Sequence, residues 1–285
     1  MAIQYCLING TLTPYETASI HVSDIGFLRG YGAFDYFHFR KKQPFFLEDY
    51  LERFARTCKV LKLVLPYSLS EIRAQIFQLI EANDLPEGGI RLHITGGYQA
   101  VGFGTPTPNF LIIQFPIKVH PEWTYEKGVK IISIPFQREL PEAKTTNYLT
   151  ALVNQDVQDA AGAYDMVYHD QGVFTESARN NFFIVDQQNR IVTCPDRILL
   201  GVTRKNLIKV AESLGFELVY RFIRTDELDQ VKEAFISSST RGAMPVIQID
   251  DQRIGDGKVG PVAKAIHHAF EQAVDTYIND QLAKR

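Results

Sequence analysis

Two blocks of alternating strand and helix patterns, separated by an irregular polar stretch, constrain the fold of this 285-residue chain most strongly. The separating stretch runs from Lys118 to Gly128 and contains Pro121 and the only tryptophan, Trp123. Alternating strands and helices favour layered α/β architectures, and 45% apolar residues are enough for two hydrophobic cores. We therefore predict a two-domain α/β (α+β) protein. The predicted parts are a smaller N-terminal mixed α/β domain at 1–117, a linker at 118–127 and a larger C-terminal mixed-sheet domain at 128–285.

In the first block, a strand is predicted at 3–9, where it ends at the Asn9-Gly10 turn signal, and a hairpin at 32–40 and 44–47 around Lys41-Lys42-Gln43. Further strands are predicted at 90–95 and 109–117. Apolar residues at helical spacing predict a helix over about 48–64. A second helix begins after Ser68-Leu-Ser-Glu71, a capping-box pattern, and runs to about Asn83.

In the second block, a helix is predicted from about 146 to 162, because Leu149, Leu152, Val153 and Val157 recur at helical spacing. The remaining predicted elements are strands at 129–135, 164–169, 181–186, 190–194, 217–223, 233–237 and 245–249, and helices at 203–214 and from about 261.

Charge and composition exclude several classes of protein. The net charge is −3 and basic residues are scattered, so no nucleic-acid footprint is present. No uncharged apolar stretch approaches the length of a membrane span, and the N-terminal residues lack the pattern of a signal peptide. The three cysteines contain no CxxC pair and the seven histidines no HExxH motif. We expect a cytoplasmic protein with reduced thiols, no membrane contact and no metal site.

The segment Pro141-Glu-Ala-Lys144-Thr-Thr-Asn147-Tyr148 is the first candidate functional site. A lysine fixed between a loop and a helix is placed to form a Schiff base with a carbonyl compound. Such a lysine is more often solvated on the surface, and spacing alone does not distinguish the two interpretations. Downstream, Glu176 is a carboxylate that could face a ring nitrogen, although a surface charge beside a Gln-Gly turn is the simpler interpretation.

A small-residue turn, Gly201-Val202-Thr203-Arg204, completes the set. Backbone N–H groups at a helix start bind phosphate well, although Thr203 is also a good N-cap. A lysine, a carboxylate and a phosphate-binding turn are together the parts needed to hold pyridoxal 5′-phosphate.

The order of these segments resembles that of the class IV (fold type IV) pyridoxal-phosphate aminotransferases, and the resemblance spans the whole chain. This family includes branched-chain and D-amino-acid aminotransferases and aminodeoxychorismate lyase. The blocks that carry the resemblance are Leu7–Gly10 with Asp24–Asp35, Leu51–Phe54, Lys144–Tyr148, Thr175–Phe182, Leu200–Arg204 and Ser238–Val246.

The resemblance implies a role for each matching residue. Lys144 would be the Schiff-base lysine and would move the substrate α-proton, and Glu176 would face the pyridine nitrogen. The phosphate would be held by Arg53, Val202, Thr203, Ser239 and Thr240, and Tyr148 would bond the cofactor's phenolic oxygen. From the residues alone, Arg53 could equally be a solvated helix arginine and Tyr148 a core tyrosine.

The sequence departs from the family in the part expected to bind the substrate carboxylate. The loop Gly96–Gly104 carries no Arg or His, whereas related D-amino-acid aminotransferases have both there. Phe34 and Tyr148 fit the branched-chain type better, as substrate and cofactor contacts respectively. Arg29 and Arg91 remain as candidate carboxylate anchors, and a structural ion pair for each is the alternative.

The resemblance implies a homodimer whose active site lies in a cleft between the two domains. The implied reaction is ping-pong transfer of an amino group between an α-amino acid, either branched-chain L- or D-, and a 2-oxo acid. A pyridoxal-phosphate lyase acting on aminodeoxychorismate and a cofactor-binding protein without turnover are the alternatives.

Overall fold

The computed structural model describes residues 3–98, 107–117 and 119–284, and within these ranges the chain forms two compact units. The first unit comprises Met1–Lys118, Ala143–Asn147 and Tyr277–Arg285, and the second comprises Val119–Glu142 and Tyr148–Thr276. The short segment 143–147 joins the first unit because its backbone pairs with a strand there. The predicted domain boundary after residue 117 assigns residues 143–147 to the C-terminal domain instead. In the structure the chain therefore passes between the two units more often than this single boundary implies.

The first unit is an antiparallel sheet covered by two helices. Its elements are β1 (Tyr5–Ile8), β2 (Thr11–Pro14), α1 (Ile25–Arg29), β3 (Gly32–Arg40), β4 (Gln43–Pro44), α2 (Leu47–Val60), α3 (Leu69–Asn83), β5 (Glu87–Thr95) and β6 (Phe110–Phe115). The strand order is β2-β1-β6-β5-β3-β4. The predicted capping box at the start of α3 is confirmed: Ser68 and Glu71 exchange side-chain-to-backbone hydrogen bonds.

Alternation along β3 places two sets of side chains on opposite sides of this sheet. Phe37, Phe39 and Asp35 lie on one side and are fully buried, and Phe37 packs against Tyr50 of α2. The opposite side carries Phe34, Tyr36 and His38 from β3 and Gly89, Arg91 and His93 from β5. We call this side, defined by those six residues, the open face of the first unit.

The second unit is built on a larger mixed sheet. Its elements are α4 (Trp123–Glu126), β7 (Val129–Pro135), α5 (Leu149–Val153), α6 (Gln155–Ala160), β8 (Asp165–Asp170), β9 (Val173–Phe174), β10 (Asn181–Val185), β11 (Ile191–Thr193), α7 (Val202–Ser213), β12 (Leu218–Tyr220), β13 (Ile223–Arg224), β14 (Glu233–Ser238), β15 (Gly242–Ile249), β16 (Gln252–Arg253) and α8 (Pro261–Ala283), whose residues from Tyr277 onward belong to the first unit. The strand order is β12-β11-β10-β14-β15-β7-β8-β9-β13, with β16 paired to β15. Its core includes Val129, Ile131, Ile236 and Met244.

The single helix predicted over 146–162 is wrong. The segment contains two short helices, α5 and α6, and the backbone between them departs from helical geometry at Asn154. Residues 145 and 146 lie outside both helices, because Thr145 forms a β-bridge with Ala33 and Thr146 N–H donates to the Gly32 carbonyl of β3 at 3.1 Å. The apolar side chains of this region are mostly exposed, at 66% for Leu149 and 71% for Leu152.

No helix within the described ranges is both long and apolar enough to cross a membrane.

Candidate active site

Lys144 is held against the start of β3 by backbone hydrogen bonds. Its carbonyl accepts from Phe34 N–H at 3.1 Å, and its own N–H donates to Thr57 Oγ1 of α2 at 3.2 Å. Thr145 forms an isolated antiparallel bridge with Ala33. The lysine backbone is therefore fixed by a strand and a helix of the first unit, and not by the helix start that the sequence suggested.

The Lys144 side chain reaches the open face at Phe34. Its Nζ atom lies 4.8 Å from the centroid of the Phe34 ring, and Arg91 Cζ lies 4.1 Å from the same centroid. Both distances are within the range of cation–π contact. One aromatic ring thus brings together the predicted covalent lysine and one of the predicted carboxylate anchors.

Tyr36 and Gly89 fit each other on the open face. A Cβ atom at position 89 would lie 2.0 Å from Tyr36 Oη, so only glycine leaves room for this phenol. Tyr36 is directly opposite Arg91 in the β3–β5 register. Burial raises the pKa of Tyr36 to about 12, which keeps the phenol neutral at physiological pH.

His93 lies opposite Phe34 in the same register. Burial lowers its pKa to about 4, and the nearby Arg91 charge contributes to this decrease while Asp24 opposes it. His93 is therefore a neutral imidazole near pH 7, and Arg91 supplies the positive charge of this part of the face.

Arg53 projects from α2 into the core side of the first sheet. It is buried, and its Nε and Nη2 atoms donate to the two carboxylate oxygens of Asp35 at 2.9 and 2.5 Å. Its guanidinium also lies over the Tyr50 ring. The interpretation of Arg53 as a solvated helix residue is thus wrong, while its predicted contact with a phosphate stays a prediction.

Arg29, the other candidate anchor, is exposed at the end of α1. Its Nη1 atom donates to the neighbouring Leu28 carbonyl at 3.2 Å. The loop Gly96–Gly104, which lacks basic residues, lies outside the described residues from position 99 onward.

Glu176 is buried in the second unit, and both of its carboxylate oxygens accept hydrogen bonds. Arg138 Nη1 donates to Oε1 at 2.8 Å, and the Leu199 N–H donates to Oε2 at 2.9 Å. Arg138 also donates to the Pro141 carbonyl, which fixes the guanidinium in position. This geometry excludes the interpretation of Glu176 as a solvated surface charge, since its relative exposure is only 4%.

Val202 and Thr203 form the first turn of α7, a twelve-residue helix. The N-cap is Gly201, which makes no side-chain cap hydrogen bond, so the alternative role of Thr203 as N-cap is wrong. A Cβ at Gly201 would lie 2.2 Å from Asn181 Oδ1, so this position accommodates a close approach between the helix start and β10. Amide groups at such a helix start favour an anion.

Ser239 and Thr240 lie in the turn that joins β14 to β15. The turn is closed by Arg241 N–H, which donates to the Ser238 carbonyl at 3.1 Å. Thr240 Oγ1 lies 3.3 Å from Ser238 Oγ and 3.4 Å from His120 Nε2. Both predicted phosphate turns therefore occur in the second unit as small-residue turns with hydroxyl and amide donors.

Tyr148 lies at the N-cap of α5 and belongs to the second unit. Three sets of contacts of the predicted site residues have no local sequence signal: Asp35 with Arg53, Arg138 with Glu176, and the Phe34 ring with Arg91 and Lys144. No local motif identifies them, because each contact joins residues that lie far apart in the sequence.

Comparison with known sequences identifies relatives that are aminotransferases. A profile of the amino-transferase class IV family matches residues 32–249. The chain is 29% identical over 276 residues to D-alanine aminotransferase of Bacillus licheniformis, covering 94% of this chain and 96% of the relative. It is 26% identical over 275 residues to D-alanine aminotransferase of Staphylococcus haemolyticus, covering 94% and 97%.

Solved structures agree with this fold. The branched-chain amino acid aminotransferase of Escherichia coli superimposes with a TM-score of 0.88 at 25% identity, covering 96% of this chain and 95% of that one. The branched-chain aminotransferase of Thermoproteus uzoniensis with norvaline also gives a TM-score of 0.88, at 23% identity, covering 98% and 97%. Both likenesses extend over nearly the whole chain, so they include the sheets of both units.

The fold and the family match together define a pyridoxal-phosphate-dependent transferase. The chain belongs to the class IV aminotransferases, and its cofactor is pyridoxal 5′-phosphate. The residues present suit that cofactor, since Glu176 is a buried carboxylate oriented by Arg138 and the Leu199 amide, and Gly201 has no side chain that could cap the start of α7.

Proposed function

We propose that this aminotransferase moves the amino group of an α-amino acid with an apolar side chain to a 2-oxo acid. The observation that carries the proposal is the Phe34 ring, which contacts Lys144 Nζ and lies beside Arg91. This ring offers an apolar surface next to an amine and a carboxylate-binding guanidinium. The related proteins are named for alanine and for branched-chain amino acids, whose side chains are apolar.

Lys144 is the proposed catalytic residue. Its Nζ atom would hold the cofactor through the aldehyde carbon, with loss of water. When bound, the cofactor would supply a conjugated pyridinium ring that stabilises negative charge at the substrate α-carbon. The neutral Lys144 amine would accept the α-proton as a general base. The backbone contacts of Lys144 to β3 and α2 support this role, because they fix the point from which the side chain moves.

We propose that the Glu176 carboxylate would accept a hydrogen bond from the pyridine nitrogen and so keep that nitrogen protonated. A buried carboxylate is well suited to this role only if its orientation is fixed. Arg138 and the Leu199 amide provide that orientation through separate oxygens of Glu176.

The phosphate is assigned to groups whose chemistry suits an anion. Val202 and Thr203 offer amides at the α7 start, and Ser239 and Thr240 offer hydroxyl and amide donors. Arg53 is proposed as a further phosphate partner and Tyr148 as the partner of the phenolic oxygen.

Arg91 is proposed to bind the substrate α-carboxylate, because its guanidinium lies on the same ring as Lys144. A planar guanidinium binds a carboxylate through two parallel hydrogen bonds. Arg29 is the second candidate, although its exposure makes a strong contact there less favourable.

Steady-state kinetics of Arg91→Gln and Arg29→Gln test this assignment. Arg91→Gln is expected to raise KM for the amino acid roughly 10- to 100-fold with a smaller change in kcat, as loss of a charge-assisted contact requires. Arg91→Lys is the matched control, since it keeps the charge and loses the paired donors. An unchanged KM in Arg91→Gln with a raised KM in Arg29→Gln would move the anchor to Arg29. Release of pyruvate from aminodeoxychorismate without transamination would favour the lyase instead.

A homodimer is proposed as the assembly. The support is an apolar patch in the second unit formed by Leu149, Leu152, Val153 and Val157, all of them at least 49% exposed. Contiguous exposed apolar side chains are typical of interaction sites. A cytoplasmic location is likewise proposed, and the three buried free cysteines are consistent with a reducing compartment.

A further inference from the structure

The turn that carries Ser239 and Thr240 is tied into the second unit by an unusual buried arginine. Arg241 follows these residues directly, and its side chain points inward with only 6% exposure. Its Nη1 atom donates to Asp165 Oδ2 and, at 2.8 Å, to Asn180 Oδ1. Its guanidinium also lies over the ring of Tyr164.

The ion pair extends into the segment that carries Glu176. Asn180 Nδ2 donates to Asp165 Oδ2 at 3.0 Å and to Ser177 Oγ at 2.8 Å. Ser177 N–H donates to the Asn180 carbonyl, which closes the turn after Glu176. One network thus fixes the start of β8, the turn after Glu176 and the turn between β14 and β15.

The backbone of Arg241 is also held on both sides. Its N–H donates to the Ser238 carbonyl at 3.1 Å, and its carbonyl accepts from Tyr125 Oη at 3.0 Å. Gly242, which follows, adopts a φ of +58°, a left-handed conformation that glycine adopts without strain. The turn therefore has little freedom to move its amides and hydroxyls.

A buried Arg–Asp pair is weak as a source of stability, because the cost of removing two charges from water offsets their attraction. Such a pair is better explained by the geometry it imposes. The geometry it imposes here is the position of Ser239 and Thr240, which flank Arg241 on its N-terminal side.

We propose that Arg241, through Asp165 and Asn180, is a positioning residue for binding the 5′-phosphate of the cofactor. The proposal rests on the proposed function, in which the Ser239–Thr240 turn contacts that phosphate. Arg241 acts on the turn and does not itself touch the ligand. Its effect is therefore specific to ligands that carry the phosphate group.

The test compares binding of pyridoxal 5′-phosphate and of pyridoxal, which lacks the phosphate, followed by visible absorbance. Arg241→Met is expected to weaken binding of pyridoxal 5′-phosphate roughly tenfold or more, the effect of one misplaced charge-assisted contact, with little change for pyridoxal. Arg241→Met/Asp165→Asn removes both charges, so its Tm is expected to recover toward the wild-type value. Its affinity for pyridoxal 5′-phosphate is expected to stay low.

Arg190→Met is the control, because it removes a more exposed Arg–Asp pair of the same unit, Arg190 with Asp186 at 2.8 Å. In this control, the ratio of the affinity for pyridoxal 5′-phosphate to the affinity for pyridoxal is expected to equal the wild-type ratio. The proposal would be overturned if the double variant regained both its Tm and its affinity for pyridoxal 5′-phosphate. It would also be overturned if Arg241→Met weakened binding of pyridoxal 5′-phosphate and of pyridoxal equally. A wild-type protein that binds neither compound would overturn the proposed function as well, which separates the two failures.

Discussion

Side-chain contacts on the open face illustrate how single residues set the chemistry of this protein. Phe34 joins Lys144 and Arg91 through ring contacts at 4.8 and 4.1 Å. His93, opposite Phe34, is neutral near pH 7 because burial and Arg91 both disfavour its charged form. Arg91 is thus the group on this part of the face that is suited to bind a carboxylate.

The His93 contribution predicts a pH dependence of stability. Its pKa is about 4 in the folded protein and 6.5 as an unperturbed group, so the unfolded chain binds the extra proton between these values. The free energy of unfolding should therefore fall as pH decreases from about 6.5 to about 4, by up to about 3 kcal/mol. Urea unfolding of wild type and His93→Gln across this range measures the effect. An equal slope in both proteins would contradict it.

Several elements are predictable from sequence because their signals are local. The capping box at Ser68 and the hairpin formed by β3 and β4 each lie within one stretch of chain. The prediction of a helix over 146–162 fails because the apolar side chains that recur at helical spacing there are not buried in the core of the chain. Leu149 and Leu152 are exposed, and residues 145 and 146 pair with β3 instead.

Contacts in the candidate site are likewise only partly predictable from local sequence patterns. Motifs identify Lys144 and Glu176 but not Asp35 and Arg138, since the contacts of the latter two bridge 18 and 38 residues of sequence. Such pairings depend on strand order and register. A single sequence determines these only through the complete fold.

The start of α7 provides a prediction at the scale of one element. Gly201→Ala should push the Asn181 amide away, because the new Cβ would lie 2.2 Å from Oδ1. Asn181 would then lose its bond to the Leu199 carbonyl, at a cost of about 1–3 kcal/mol. Thermal or urea unfolding of both single variants and the double variant measures the coupling. In the Asn181→Ala background the cost of Gly201→Ala should largely disappear, and a full cost there would place the strain elsewhere.

The two compact units divide the proposed roles. The first contains Lys144, Arg53 and the open face, and the second contains Glu176 and both small-residue turns. The exposed apolar patch on α5 and α6 belongs to the second unit and adjoins Tyr148 in sequence. Assembly through this patch would therefore place a second subunit close to the chain segment that follows Lys144.

The homodimer proposal predicts an effect of charge at the apolar patch. Leu152→Asp/Val153→Asp should shift the protein from twice the chain mass to the chain mass, because buried unpaired carboxylates oppose association. Light scattering after size exclusion measures this shift. Leu214→Asp is the control, since Leu214 is exposed outside the patch and its substitution should leave the mass unchanged. Monomeric wild-type protein would contradict the proposal.

The role of Lys144 is tested by the visible spectrum of the protein loaded with pyridoxal 5′-phosphate, recorded before and after adding D-alanine, L-leucine or either enantiomer of glutamate. We expect a visible band in the wild type that an apolar amino acid of one chirality removes, and no such band in folded Lys144→Ala. A Lys144→Ala protein that keeps the band and still transaminates would contradict the assignment of Lys144, and with it the proposed mechanism.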